Sequence, residues 1–195
     1  MLYQLTVTLV GTEPPIWRRL LVPANTPLNI FHRVIQVAMG WSDYHAHQFL
    51  AAGKQGRRIY GVIRDGEDVR LGLQVLDENS YCLSDLLHAE RDQCLYEYDF
   101  GDSWLHQLVL ERIIEAPAPS EKLCCLEGSG ACPPEDSGGV PAYEEWLIAL
   151  KEPEHPDHED AVEWLGADYD PSLFECQKVN QSLSEFVVNS DAQRK

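Results

Sequence analysis

Polar and apolar residues alternate from the first positions of the chain. In "LYQLTVTLV" Tyr3, Leu5, Val7 and Leu9 share one face, the period of a half-buried strand. A Gly-Thr-Glu-Pro-Pro turn leads into "IWRRLLVP", a second extended run, and together they predict an N-terminal hairpin. The period changes after Pro23. In "NTPLNIFHRVIQVAMGW" Leu28, Phe31, Ile35 and Ala38 or Met39 recur at helical spacing, with Asn25 or Thr26 as cap, Pro27 at a first helical position and Gly40 as the stop. "HAHQFLA" and "RRIYGVI" return to strand patterning around a Gly-Lys-Gln-Gly turn. "RDGEDVRLGLQVLDENS" reads as a loop with a short strand or turn, and Ser84 is placed to cap a short helix in "LSDLLHAER".

"CLYEYDFG" and "SWLHQLVLERII" form the clearest hairpin. The Pro-, Gly- and Ser-rich "EAPAPSEKLCCLEGSGACPPEDSGGVP" is longer than a structural connector needs and is expected to be an irregular functional loop. "PAYEEWLIAL", with Pro141 near N1 and Glu144 and Glu145 in the first turn, opens a helical last third that continues through "HPDHEDAVEWLG" and "SLFECQKVNQSLSEF". Strands first and helices later, joined by hairpins, predict an α+β domain over residues 1–189 with a mostly antiparallel sheet, helices packed on it, and a frayed tail at 190–195.

Charge narrows the function classes. With 32 acidic and 15 basic residues the formal charge is -17, which repels a phosphate backbone and argues against direct nucleic-acid binding. The basic clusters Arg18-Arg19 and Lys54, Arg57 and Arg58 are short and read as strand decoration. No segment reaches the ~18 consecutive apolar residues of a membrane helix, and the N-terminus has no basic region or cleavage site, so a cytoplasmic protein without membrane association is expected. Six cysteines then imply reduced thiols: Cys82, Cys94 and Cys176 as buried thiols, and a cluster of Cys124, Cys125 and Cys132. Cys125 and Cys132 could pair, ligate metal or stay free. There is no C-x-x-C pair, nucleophile elbow, phosphate-binding loop, H-E-x-x-H or dinucleotide fingerprint.

The candidate chemistry gathers in three stretches. If Gly101 and Asp102 form a two-residue turn in "YDFGDSWLH", Phe100 pairs with Ser103, Asp99 with Trp104 and Glu97 with His106. One hairpin face then carries Glu97, Asp99, Trp104 and His106, and the other Cys94, Tyr96, Tyr98, Phe100, Leu105 and Val109 as core. The plainer alternative has Asp99 and Asp102 bonding turn amides while Glu97 and His106 pair across the strands. "HAHQF" puts His45 and His47 on one strand face about 7 Å apart, a spacing two metal ligands can share. "CPPEDSGG" sets Glu135 and Asp136 between a rigid Pro133-Pro134 and a permissive Gly138-Gly139, either as a functional loop or as the lead-in to the next helix. His155 and His158 in "HPDHED" read as a solvated helix start.

Taken together, "PPIWRRLLVP", "FHRVIQVAMGW", "HAHQF", "YEYDFGDSWLHQLVLE", "CLEGSGACPPEDSGG" and "VNQSL" resemble the plasmid pRiA4b ORF-3-like family from about Tyr3 to Leu183. The resemblance implies a single α+β domain. It maps the family's signature positions onto residues that include Trp17, His32, Trp41, His45, His47, Tyr98, Asp99, Asp102, Trp104, His106, Glu111, Glu135, Asp136 and Asn180. Members are also labelled insertion-element passengers of resolvase type. A serine recombinase, however, needs a nucleophilic serine among arginines and a basic helix, and this chain shows neither.

Two readings result. The first is a binding or interaction module associated with mobile elements, its cleft formed by Asp99, Asp102, Trp104, His106, Glu135 and Asp136, with a ligand or protein partner still to be identified. The alternative is a hydrolase that uses a divalent metal ion held by His45, His47, Asp99 and His106, with Glu135 or Asp136 as the catalytic base acting on bound water.

Overall fold

The computed structural model describes residues 1–53, 56–63, 74–115 and 123–192. The weakly patterned stretch 64–73, the centre of the Gly-Lys-Gln-Gly turn and the Pro-rich 116–122 lie outside the described residues, as does the end of the tail. The fold is α+β, with one eight-stranded sheet. Its strands are β1 (Leu2–Leu9), β2 (Trp17–Pro23), β3 (His47–Gly53), β4 (Gly56–Gly61), β5 (Val75–Asp77), β6 (Gln93–Tyr98), β7 (Trp104–Ile114) and β8 (Cys124–Ser129). They lie in the order β5-β4-β3-β6-β7-β1-β2-β8. Every pairing is antiparallel except β4 with β5. The strand β8 falls inside the segment expected to be irregular.

The helix α1 (Leu28–Met39) covers one face of this sheet. Its apolar stripe Leu28, Phe31, Val34, Ile35 and Ala38 is buried against Leu5, Val7, Leu20, Phe49 and Leu108, as its helical period requires. Gly40, at φ 99°, ends it with its N–H on the Gln36 carbonyl at 2.8 Å. A short helix α2 (Leu83–Leu86) precedes β6, and α3 (Gly139–Lys151), α4 (His158–Leu165) and α5 (Cys176–Ala192) follow β8. The cap of α2 differs from expectation: it is Cys82, two residues before Ser84, whose N–H donates to the Asp85 carboxylate at 2.7 Å. The helix α3 starts at Gly139, so Pro141 stands at its third position and Glu144 and Glu145 in its second turn.

Two side chains tie the elements together. Arg18, expected on the strand surface, is 3% exposed and spends its guanidinium on backbone carbonyls: Ala38 (3.0 Å), Trp17 (2.9 Å), Ser129 (2.8 Å) and Gly130 (2.9 Å). It thereby fastens the last turn of α1 to the end of β8. Asn180 on α5 closes the β8 edge, accepting the Cys125 N–H at 2.8 Å and donating to the Cys125 carbonyl at 2.8 Å, as a neighbouring strand would. No disulfide joins the described cysteines, and burial pushes the Cys125 thiol up to about 12.

The opposite sheet face is half-exposed and polar, as an antiparallel sheet allows. Gln4 pairs with Arg112 and Leu5 with Leu110, so Glu111 is the extra residue of a bulge. Its carboxylate accepts from Gln4 (2.7 Å), Thr6 (2.7 Å) and the Arg19 guanidinium (2.7 and 3.0 Å). Burial raises this carboxyl, but those hydrogen bonds outweigh it and hold Glu111 down to about 2. A depressed folded value contributes stability above the unfolded value near 4.5, and that stability is lost as pH falls toward 2. Glu111→Gln is therefore expected to cost about 2 kcal/mol at neutral pH and to flatten the stability profile between pH ~4.5 and ~2. Urea denaturation of both proteins across that range checks it, and equal slopes against pH would refute it.

Candidate functional site

The β6–β7 hairpin turns through five residues, Asp99 to Ser103, instead of two. Tyr98 pairs with Trp104, Glu97 with Leu105 and Tyr96 with His106. Relative to the register expected from a Gly101-Asp102 turn, this is a slip of one position, and such a slip exchanges the faces. Trp104 and His106 therefore join Cys94, Tyr96 and Tyr98 in the core, both at 0% exposure, while Phe100 and Leu105 do not. The expected face of Glu97, Asp99, Trp104 and His106 does not exist. The physical cause is Asp99, whose backbone is left-handed (φ 56°) and whose Oδ1 accepts the amides of Gly101 (2.9 Å) and Asp102 (3.4 Å). Ser103, also left-handed at φ 53°, returns its N–H to the Asp99 carbonyl at 2.6 Å.

His106 is thus a core residue. Its Nδ1–H donates to the Trp104 carbonyl at 3.0 Å, its ring stands edge-on to Trp41 at 5.3 Å, and burial drives its imidazole down to about 4. It joins no group of convergent metal-ligand atoms among the described residues. His45 lies ahead of β3, which begins at His47, so the two do not share a strand face and belong to different groups.

The first group holds His45, Asp99 and Asp136, with one ligand atom from each within 4.8 Å of the others. His45 Nε2 is 3.1 Å from Asp136 Oδ1, without the alignment of a hydrogen bond, and Nδ1 is 3.6 Å from Asp99 Oδ2. The Pro133–Asp136 loop reaches this point because several groups pin it. Trp41 Nε1–H donates to the Pro133 carbonyl (3.0 Å), the Ser42 N–H to Glu135 (3.0 Å), and the Tyr98 hydroxyl to the other Glu135 oxygen. Burial first and the Glu135 carboxylate second raise the Tyr98 phenol above the tyrosine range. Tyr98 also accepts the backbone N–H groups of Tyr44 (3.1 Å) and His45 (3.4 Å). Asp102 takes the Gly138 N–H at 2.9 Å. The hairpin, the His45 segment and the Pro-Pro-Glu-Asp loop therefore meet. Glu135 is held by two bonds, whereas the Asp136 side chain is 63% exposed.

The second group is His32, Asp43 and His47, again with ligand atoms within 4.8 Å. His32 Nε2 lies 2.7 Å from Asp43 Oδ1, His47 Nε2 lies 2.7 Å from Glu78 Oε2, and the two rings stack at 3.4 Å, 3° from parallel. Burial, with the adjacent His47, lowers the His32 imidazole to about 4 against the pull of Asp43. His32 Nδ1 meets the Tyr96 hydroxyl at 2.8 Å, which also accepts from Gln36 Nε2 at 3.0 Å. Asp43, Asp99 and Asp136, the aspartates of both groups, all sit in left-handed backbone (φ 61°, 56° and 58°), a region that aspartate tolerates better than most residues.

A cleft of about 800 Å³ opens over this second group, lined by α1, residues 43–48 and the β4–β5 end of the sheet. Of the expected site residues, His45 and His47 line it; Asp99, Asp102, Trp104, His106, Glu135 and Asp136 do not. Asp43 and Glu78 lie in polar stretches that carried no signal. His32 did carry one, as a histidine at the buried helical spacing of Leu28, four residues before it.

The chain belongs to the plasmid pRiA4b ORF-3-like family, whose model matches residues 1–178. Among its relatives, the uncharacterized protein y4hQ of Sinorhizobium fredii (strain NBRC 101917 / NGR234) is 35% identical over 190 residues, covering 95% of this chain and 92% of that protein. The crystal structure of MM3350 from Methanosarcina mazei Go1, titled a protein of unknown function, superposes with a TM-score of 0.80. It is 38% identical and covers 90% of this chain and 96% of that one.

The joint between hairpin and loop makes a direct test. A Cβ on Gly139, whose φ is +79°, would lie 2.5 Å from the Asp102 carbonyl oxygen. Gly139→Ala is expected to cost about 2 kcal/mol, or roughly 4–8 °C of Tm. Calorimetry showing an unchanged Tm would mean that the two segments are not held at that distance.

Proposed function

We propose that the protein is a binding module whose cleft takes a small ligand with an apolar body and one polar or anionic end. The observation that carries this reading is the distribution of chemistry in the cleft. Tyr44, Val62 and Phe100, exposed by 80%, 56% and 48%, stand among its lining residues. His32, His47 and Glu78 lie buried below them. Apolar walls around a few converging polar groups are the usual composition of a ligand site, and the volume falls within the ordinary range of roughly 300–1,000 Å³. Arg33, exposed on α1, lines the same cleft and suits an anionic end. The formal charge of -17 supports a small ligand over a nucleic-acid backbone, and the family's description after a plasmid reading frame supports an association with mobile elements.

Filling the cleft tests this. Ile30 lines it from α1, and Ile30→Trp is expected to weaken by at least about tenfold any compound that raises the Tm of the natural protein in a metabolite screen. Gln107→Ala, on the far sheet face, is expected to leave such binding unchanged. Compounds that bind the Ile30 variant equally well would overturn the assignment.

A second reading, metal-dependent hydrolysis, is favoured by the placing of His45 between Asp99 and Asp136. With Glu135 committed to Tyr98 and Ser42, Asp136 is the carboxylate left accessible to act as base on a bound water. Across a panel of ester and phosphoester substrates with added manganese or zinc, Asp136→Asn should lower any turnover by roughly a hundredfold or more. Activity that survives that substitution removes this reading.

A further inference from the structure

We propose that His32, Asp43, His47 and Glu78 form a transition-metal site in the floor of the cleft, with a coordination position left open toward it. This deepens the cleft reading and rests on it only for that open position.

Three independent features converge on the site. The first is the donor set. Two imidazoles and two carboxylates meet in two contacts of 2.7 Å, His32 with Asp43 and His47 with Glu78. In each, a proton shared between nitrogen and oxygen stands where a cation could stand instead. Metal bonds of about 2.0–2.2 Å place neighbouring ligands roughly 3–4 Å apart. The ligand atoms of His32, Asp43 and His47 already lie within 4.8 Å of one another and converge on one ion once side-chain rotation unstacks the two rings, with Glu78 joining through its contact with His47 Nε2.

The second is burial. The side chains of His32, His47 and Glu78 are 4%, 7% and 5% exposed. A carboxylate as deep as Glu78 costs free energy unless a charge answers it, and a divalent ion answers Glu78 and Asp43 together.

The third is the support behind the ligands. Tyr96 holds His32 Nδ1 at 2.8 Å, which turns Nε2 toward the site. Gln36 donates to that same tyrosine at 3.0 Å and accepts the Asp43 backbone N–H at 3.1 Å, so one amide side chain positions two ligands from two segments. Fixing a ligating histidine through its other ring nitrogen is the usual way a protein builds a metal centre.

Histidine with carboxylate suits zinc, manganese, iron(II), cobalt or nickel, whereas calcium and magnesium favour all-oxygen sites. The cleft above the group leaves room for water or the anionic end of a ligand on the same ion. The His45, Asp99 and Asp136 group is the weaker candidate. Asp136 is 63% exposed, and one oxygen of Asp99 is already engaged by turn amides.

The test uses full-length protein expressed without a polyhistidine tag. Elemental analysis is expected to find about one equivalent of a transition metal per chain. After chelation, cobalt(II) should restore one equivalent and produce visible d–d bands. Asp43→Asn and His47→Ala should each weaken cobalt affinity at least about tenfold, and Gln107→Ala should not. Asparagine adopts left-handed backbone as readily as aspartate, so Asp43→Asn keeps the fold, confirmed by an unchanged circular dichroism spectrum, even if His47→Ala does not.

Less than roughly a tenth of an equivalent of every metal, with no cobalt bands, would overturn the site. So would affinity untouched by Asp43→Asn, or affinity that falls with His45→Ala and not with the His32 group. The two readings fail separately. Ligand shifts that persist in chelated protein lacking metal uptake sink the ion site alone, and metal uptake with no ligand sensitive to Ile30→Trp sinks the cleft alone.

Discussion

The pairing of Tyr98 with Trp104 is the constraint on which most of the molecule's interior depends. It follows from the left-handed Asp99, whose carboxylate gathers the amides of a five-residue turn and so sets the β6–β7 register. In that register Tyr96, Tyr98, Trp104 and His106 all point toward α1, giving the sheet an aromatic core with a few polar atoms inside it. A shift of one residue would send Trp104 and His106 to the face of Glu97 and Asp99 and set Leu105 and Gln107 beside Tyr96 and Tyr98, splitting this aromatic cluster between the two sides of the sheet. Burying that much aromatic surface outweighs the strain of two non-glycine residues at positive φ, since each such ring buries about 150–250 Å².

From that register the site follows. Tyr98 directs its hydroxyl past the end of the sheet, where it takes the amides of Tyr44 and His45 and bonds Glu135. Tyr96, one pair further in, sends its hydroxyl to His32 and Gln36. Two tyrosines on one strand face thus organise both histidine groups, one through the Pro-Pro-Glu-Asp loop and the other through α1. Each tyrosine hydroxyl has more than one hydrogen-bond partner, which keeps these side chains in fixed orientations.

Much of the framework was legible because it rests on local periodicity. The alternation Tyr3 to Leu9 marked β1, the spacing Leu28, Phe31 and Ile35 marked α1 with its end at Gly40, and the hairpin around Gly101 was evident as a hairpin. Its register was not: a two-residue and a five-residue turn fit the same polar stretch, and the choice turns on the backbone of Asp99. The strand β8 was hidden for a different reason. "CCLEGS" has little alternation, and it is a strand because β2 pairs with it on one side and Asn180 caps its backbone on the other.

By itself the sequence determined the α+β class and the strand and helix pattern on each side of residue 40. These depend on neighbours a few residues away, where spacing alone fixes which side chains share a face. Only the tertiary structure decided which histidines meet which carboxylates. His45 and His47, two residues apart, went to different groups because the chain enters β3 between them. His32, Asp43 and Glu78, from a helix, a loop and a short helical turn, came together because α1 packs over the same tyrosine face that His47 joins. Contacts of that kind are set by packing between distant segments, and no local pattern encodes them.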